Sequence, residues 1–266
     1  MDDHVKPREP AIIKVGDIDP RYHWDRALPA PGHSAVDFEE RVDFRRLHAY
    51  RLGRTRQAMK DSALGALLCF DNNNIRYISS TTIGEWSRDK IARYCLLAGD
   101  GDPHVWDFGS AAAHHRLHAP WLPQSCCHAG MIGLRGTVPP SAGFMKSAAE
   151  EIKAMLVEAG LADQPVGLDI VEPPLLFELQ KQGIEVRDGQ QVMLDAREIK
   201  SMDEITLLNM AASMVDGTYH MLFEEMKPGV RESDLVAMAN AMLYEMGSDD
   251  VEAINAVSGE RCSPHP

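Results

Sequence analysis

The stretch from Ser147 to Val186 limits the fold most, because it alternates a helical period with short apolar runs. Ala148, Ile152, Met155 and Ala159 recur at helical spacing, and Gly160 stands where a left-handed C′ residue ends a helix. Val166–Val171 then reads as a strand. Pro174–Gln182 reads as a short helix that opens with proline and stops before Gly183, and Ile184–Val186 reads as the next strand. This rhythm predicts a three-layer α/β domain, with helices on both faces of a sheet.

The region before it supplies more strands. Ala63–Phe70 is an apolar run closed by Asp71-Asn72-Asn73-Asn74, which predicts a buried strand and then a turn. Ile75–Ser79, Ala92–Ala98 and His104–Phe108 predict three further strands, the last two joined by a turn at Gly99–Pro103. Arg41–Asp61 is basic and predicts a helix, with Leu52 and Met59 two turns apart. Residues 109–143 hold two histidine clusters, adjacent cysteines and several Gly and Pro, and show no clear period. Residues 1–37 are rich in Pro, Asp and His and read as an extended arm.

A second regime starts near Ala196. Ser201-Met202-Asp203-Glu204 predicts a capping box, in which the serine hydroxyl and the glutamate each take a free N–H. Behind it Ile205, Leu208, Ala212, Val215, Tyr219 and Leu222 predict a long helix with one buried stripe. Lys227-Pro228-Gly229 ends it. A second helix follows from Glu232 to Met246, with Leu235, Met238, Met242 and Met246 inward, and then a strand over Val251–Val257. Two helices and one strand cannot close a core. The organisation expected is therefore an arm over 1–37, an N-terminal domain over 38–195 and the incomplete start of another domain over 196–266.

Charge narrows the partners. The formal net charge is −13, from 27 Lys+Arg against 40 Asp+Glu. Such a surface repels phosphate backbones and anionic membranes, so neither nucleic acid nor membrane is expected as a partner. The N-terminus lacks the basic start and apolar stretch of a signal peptide, and the five cysteines are odd in number and irregularly spaced, so reduced thiols in a cytoplasm are expected. No phosphate-binding glycine loop and no Gly-x-Ser-x-Gly is present.

Three stretches carry a resemblance. Leu67–Ser80 (LLCFDNNNIRYISS) is similar to a strand-turn-strand of the creatinase/prolidase/aminopeptidase P family, with Asn74, Ile75 and Tyr77 matching its Asn-hydrophobic-x-Tyr unit. Ala196–Asp216 (AREIKSMDEITLLNMAASMVD) resembles the family's domain junction, and Lys227–Pro266 resembles its Pro-Gly turn, second helix and a strand ending in Ser-Gly and then a His. Arg231 departs from the pattern, which has a capping Thr there; Ser233 is expected to cap instead. FDNNNIRY and HVWDF resemble the branch that includes dimethylsulfoniopropionate lyases.

The resemblance implies a creatinase-type three-layer domain followed by an incomplete α+β pita-bread domain. It implies a parent enzyme with two divalent metals, which activate a hydroxide and stabilise an oxyanion. The five ligands would lie beyond Pro266, so this chain is expected to bind no metal and to be inactive by itself. The expected function is the N-terminal portion of a dimetal Xaa-Pro peptidase-like hydrolase, giving a homodimer its dimerisation surface and a pocket wall for a small peptide or zwitterion. The alternatives are a non-catalytic binding module of the same fold and a lyase acting on a small zwitterion.

By the same resemblance, His265 matches a histidine that touches substrate near the metals. Asn74, Arg76, Tyr77 and Trp86 are candidates to reach a neighbouring subunit's pocket, set against turn chemistry for Asn74 and ordinary packing for Tyr77 and Trp86. His114, His115, His118, Cys126, Cys127 and His128 raise the question of zinc, but the spacing lacks Cys-x2-4-Cys, and a surface helix beside two buried thiols is the plainer reading. Asp249, Asp250 and Glu252 read as a solvated turn.

Overall fold

The computed structural model describes residues 41–83 and 91–263. Its centre is a six-stranded sheet in the order β4-β3-β2-β1-β5-β6. The strands are β1 (Ala66–Cys69), β2 (Tyr94–Ala98), β3 (His104–Asp107), β4 (Cys127–Ala129), β5 (Val166–Leu168) and β6 (Val186–Asp188). β1 pairs antiparallel with β2 (Leu67 opposite Leu97) and parallel with β5 (Leu67 opposite Gly167). β2–β3 is antiparallel, while β3–β4 and β5–β6 are parallel.

Helices cover both faces. α1 (Phe44–Asp61), α2 (Asn72–Ser79) and α6 (Gln190–Glu198) pack on one side with Met59, Ile75, Ile78, Val192 and Met193 against Leu67, Cys69, Cys95 and Leu97. α4 (Phe144–Glu158) and α5 (Pro173–Lys181) pack on the other with Met145, Ile152, Leu175 and Leu179 against Ala66, Leu68, Leu96 and Trp106. Side chains alternate along a strand, so β1 sends Leu67 and Cys69 to one core and Ala66 and Leu68 to the other. That explains its unbroken apolar run. The three-layer α/β expectation holds, and Gly160 takes the left-handed conformation at φ 70° that ends α4.

The structure corrects several local expectations. Ile75–Ser79 is helix α2, because Asp71 caps it by accepting from the Asn73 and Asn74 N–H groups at 2.9 and 3.0 Å. The asparagine run is a helix start, not the turn between two strands that the sequence suggests. The unreadable 109–143 region holds α3 (Gly109–His118) and β4. Helix α6 carries little periodic signal in the sequence, since only Val192, Met193 and Ala196 are buried along it.

Past α6 lie α7 (Met202–Glu225) and α8 (Glu232–Glu245). The capping box is present: Glu204 N–H donates to Ser201 Oγ at 3.2 Å and Ser201 N–H to Glu204 Oε2 at 2.9 Å. The predicted stripe, however, faces outward. Leu208 is 56% exposed and Tyr219 69%, whereas Met210, Met214 and Thr218 are buried. Helix α7 packs against α8, on which Ala239 is buried. Arg231 is the N-cap of helix α8, and its N–H donates to Asp234 Oδ2 at 3.1 Å, so Asp234 rather than Ser233 satisfies that end. Val251–Val257 forms no strand; among the described residues no neighbouring strand accepts its edge. No described helix is long and apolar enough to cross a membrane.

Candidate functional site

The carboxyl ends of β1 and β5 lie side by side, the position where open α/β sheets expose backbone groups to ligands. Asp169 follows β5 and organises this edge. Its Oδ1 accepts from the Phe70 and Ile170 N–H groups at 2.8 and 2.6 Å, and its Oδ2 from the Asp71 N–H at 3.0 Å and Asn74 Nδ2 at 2.9 Å. Asn74 is buried, yet its Oδ1 has no partner; Asn72 Oδ1 and Arg135 Nε are also buried without one. Arg135 donates its Nη2 to the Phe70 carbonyl. Orphaned buried polar atoms are rare enough to need an explanation such as water or ligand. Arg76, on the outer face of α2, is exposed. Cys69 beneath this edge is no nucleophile: burial, then the Asp169 charge, pushes its thiol well up.

Tyr77 does a different job. It is buried, its hydroxyl donates to the Ala196 carbonyl at 3.0 Å, and Arg51 stacks over its ring at 5.3 Å. Burial, helped by the Glu204 charge, pushes the phenol up to about 12. Tyr77 therefore stays protonated and tethers the segment that leads to α7. The same segment is gripped by α1. Tyr50 Oη donates to the Ile199 carbonyl at 2.9 Å, Arg54 Nη2 to the Asp195 carbonyl at 2.8 Å and Arg51 Nε to Glu204 Oε1 at 2.9 Å. Arg46 binds Asp203 with two parallel bonds, Nε to Oδ2 at 2.8 Å and Nη2 to Oδ1 at 2.7 Å. The Arg46 hydrogen bond holds the Asp203 carboxyl below its usual range. Glu204 thus closes the capping box with one oxygen and joins α7 to α1 with the other.

The histidine and cysteine cluster separates into three groups. His115 is buried and bonds Asp107 Oδ2 at 3.2 Å, and the same carboxylate pairs with buried Arg93. Arg93 also donates Nη2 to the Thr81 carbonyl at 2.8 Å. His128 Nε2 faces His104 Nδ1 at 2.9 Å, with Cys126 Sγ 3.8 Å from His104 Nε2. His114 and His118 stand exposed with ring centroids 4.5 Å apart. Cys126 and Cys127 are buried free thiols. No group of three or more His, Cys, Asp or Glu that can hold a metal occurs among the described residues. Trp86 and His265 lie outside the described residues. Asp169, Arg135 and the Arg93–Asp107 pair escaped the sequence reading; the only signal was a lone aspartate directly after an apolar strand.

No known protein-family profile matches the chain. Its sequence is 27% identical over 229 residues to the dimethylsulfoniopropionate lyase DddP of Roseovarius nubinhibens, and 26% identical to the DddP of Roseobacter denitrificans. Each alignment covers 84% of this chain and 51% of the relative, so the chain spans about half the length of these relatives. Among solved structures it is similar to an Xaa-Pro dipeptidase from Bacillus anthracis (TM-score 0.54, 16% identity, 74% of this chain and 49% of that one). It is also similar to a prolidase from Thermococcus sibiricus (TM-score 0.54, 18% identity, 77% and 52%). These structural likenesses speak for the fold alone.

Proposed function

Since the chain belongs to the creatinase/prolidase family, on the branch of the dimethylsulfoniopropionate lyases, we propose that it forms the front half of a lyase acting on a small zwitterion. The observation that carries this reading is the alignment with two such lyases along 84% of the chain. It favours the lyase alternative over the Xaa-Pro hydrolase, for which only a shared fold speaks.

In this reading α7 and α8 open the catalytic domain, and the exposed apolar face of α7 takes the rest of that domain. The β1–β5 edge serves as a wall of the substrate pocket, in a homodimer a neighbouring subunit's pocket. Arg76 offers a guanidinium to a carboxylate, and buried Asn74, tied to Asp169, positions the start of the helix that carries it. Chemically, a lyase acting on a sulfoniopropionate removes a proton next to the carboxylate and expels the neutral sulfide, which leaves acrylate. The described residues provide no ligand set for the two divalent metals that the family resemblance implies. This chain's own groups bind and orient.

The test is dimethyl sulfide release from dimethylsulfoniopropionate. It is measured on this chain alone, and on this chain co-expressed with the C-terminal half of the Roseovarius nubinhibens lyase. The reading expects no release from the chain alone, release from the pair, and a raised KM for Asn74→Ala in the pair. A pair that assembles but cleaves only an Xaa-Pro dipeptide returns the reading to the hydrolase. A pair that assembles and cleaves neither points to a binding module.

A further inference from the structure

Two histidine pairs flank β3 and β4, and their ring geometry separates what each can hold. In the first, His104 Nδ1 and His128 Nε2 are 2.9 Å apart, the ring planes differ by 19° and the centroids are 5.2 Å apart. The centroid separation is the N···N distance plus roughly one ring radius at each end. The rings therefore meet edge to edge in nearly one plane, with their nitrogens head-on. That gap fits a shared proton and is too short for a metal between two nitrogens. Burial lowers the proton affinity of both rings, so the pair holds one N–H···N bridge between neutral imidazoles.

The second pair differs. His114 and His118 are spaced i, i+4 on α3, both exposed, with centroids 4.5 Å apart and planes 38° apart. Two imidazoles bound cis to one ion at a metal–nitrogen distance of about 2.0–2.1 Å have centroids roughly 4.5 Å apart. The same i, i+4 spacing puts both zinc-binding histidines of metalloprotease helices on one face. The helix is also held against rotation. His115 turns inward to Asp107 at 3.2 Å, and Arg116 gives its Nε and Nη2 to the Cys127 carbonyl at 2.9 and 2.6 Å. Ala111 and Ala112 are buried beneath.

We propose that His114 and His118 form a surface chelate for a late first-row divalent cation, with copper(II) bound most tightly. Imidazole donors suit copper, nickel and zinc, and affinity rises to copper and falls again at zinc. Among the described residues no third His, Cys, Asp or Glu joins the pair, so water completes the coordination shell and the ion stays exchangeable. The site is independent of the lyase reading, which uses neither residue.

The test titrates the full chain with copper(II) by calorimetry and records the electron paramagnetic resonance of the bound ion. His114→Ala, His118→Ala, His128→Ala and His220→Ala are compared with the parent, and circular dichroism checks the fold. Both substitutions in α3 replace exposed side chains and should leave the fold intact. The expected result is the loss of one bound copper per chain in His114→Ala and in His118→Ala, with His128→Ala and His220→Ala unchanged. The parent spectrum should show two nitrogen ligands where the α3 variants lose them. Unchanged copper binding in both α3 variants overturns the site. So does loss of the copper in His128→Ala or His220→Ala instead.

Discussion

The sheet domain and the α7–α8 pair are made of similarly apolar sequence, yet they bury it very differently. Every residue of β1 and most of β2 is fully covered, while α7 shows Leu208, Val215, Tyr219 and Phe223 to solvent. The sheet is layered on both faces. Helix α7 has α8 on one side and meets α1 through charged bonds at its N-terminus. A helix gains most of its stability from packing an apolar face rather than from propensity. The difference therefore teaches that the first region carries its own core and the second depends on a cover.

The comparison can be broken most sharply by deleting large side chains. Trp106→Ala, in the fully buried core, is expected to cost about 3–5 kcal/mol. Phe223→Ala, 81% exposed, should stay within about 0.5 kcal/mol. Urea unfolding of the two variants decides it, and equal costs erase the distinction. Asp107→Ala leaves Arg93 charged and unpaired in the interior and should also cost about 3–5 kcal/mol by the same assay.

Smaller effects probe the junction between the regions. Tyr77→Phe removes the bond to the Ala196 carbonyl and is expected to cost about 1 kcal/mol, with earlier proteolytic cleavage near residues 196–201. The Arg46–Asp203 contact should respond to pH. Its hydrogen bond lowers the Asp203 pKa in the folded chain. The stabilisation is thus present above the unfolded carboxylate value of about 3.9 and fades as pH falls through the lower folded value. Asp203→Asn should flatten that acid dependence in a thermal melt series.

Much of the fold was legible in the sequence because the relevant signals are local. The Ser201/Glu204 box, the Gly160 stop and the apolar run of β1 each depend on a few neighbouring residues. What was misread depends on partners far along the chain. Ile75–Ser79 reads as a strand, whereas the Asp71 cap, whose N–H is held by Asp169 almost a hundred residues away, selects a helix. The lack of a cover for the α7 stripe was legible, since two helices and one strand cannot close a core; that Met210, Met214 and Thr218 form the covered face was not. At the candidate site Asn74 was found through a motif, while Asp169 and Arg135 were invisible, because one aspartate or arginine carries no spacing signal. Tyr77 has both a pocket and a packing reading in the sequence, and its hydroxyl tethers the Ala196 carbonyl; an aromatic in a motif does not reveal which way its hydroxyl points.

Native-state hydrogen exchange read by mass spectrometry tests the central contrast most directly. The account predicts strong protection in peptides covering β1, β2 and α4, and far weaker protection across α7 and α8, with exchange there slowed when the C-terminal half of the Roseovarius nubinhibens lyase is added. Equal protection in both regions of the chain alone would contradict it.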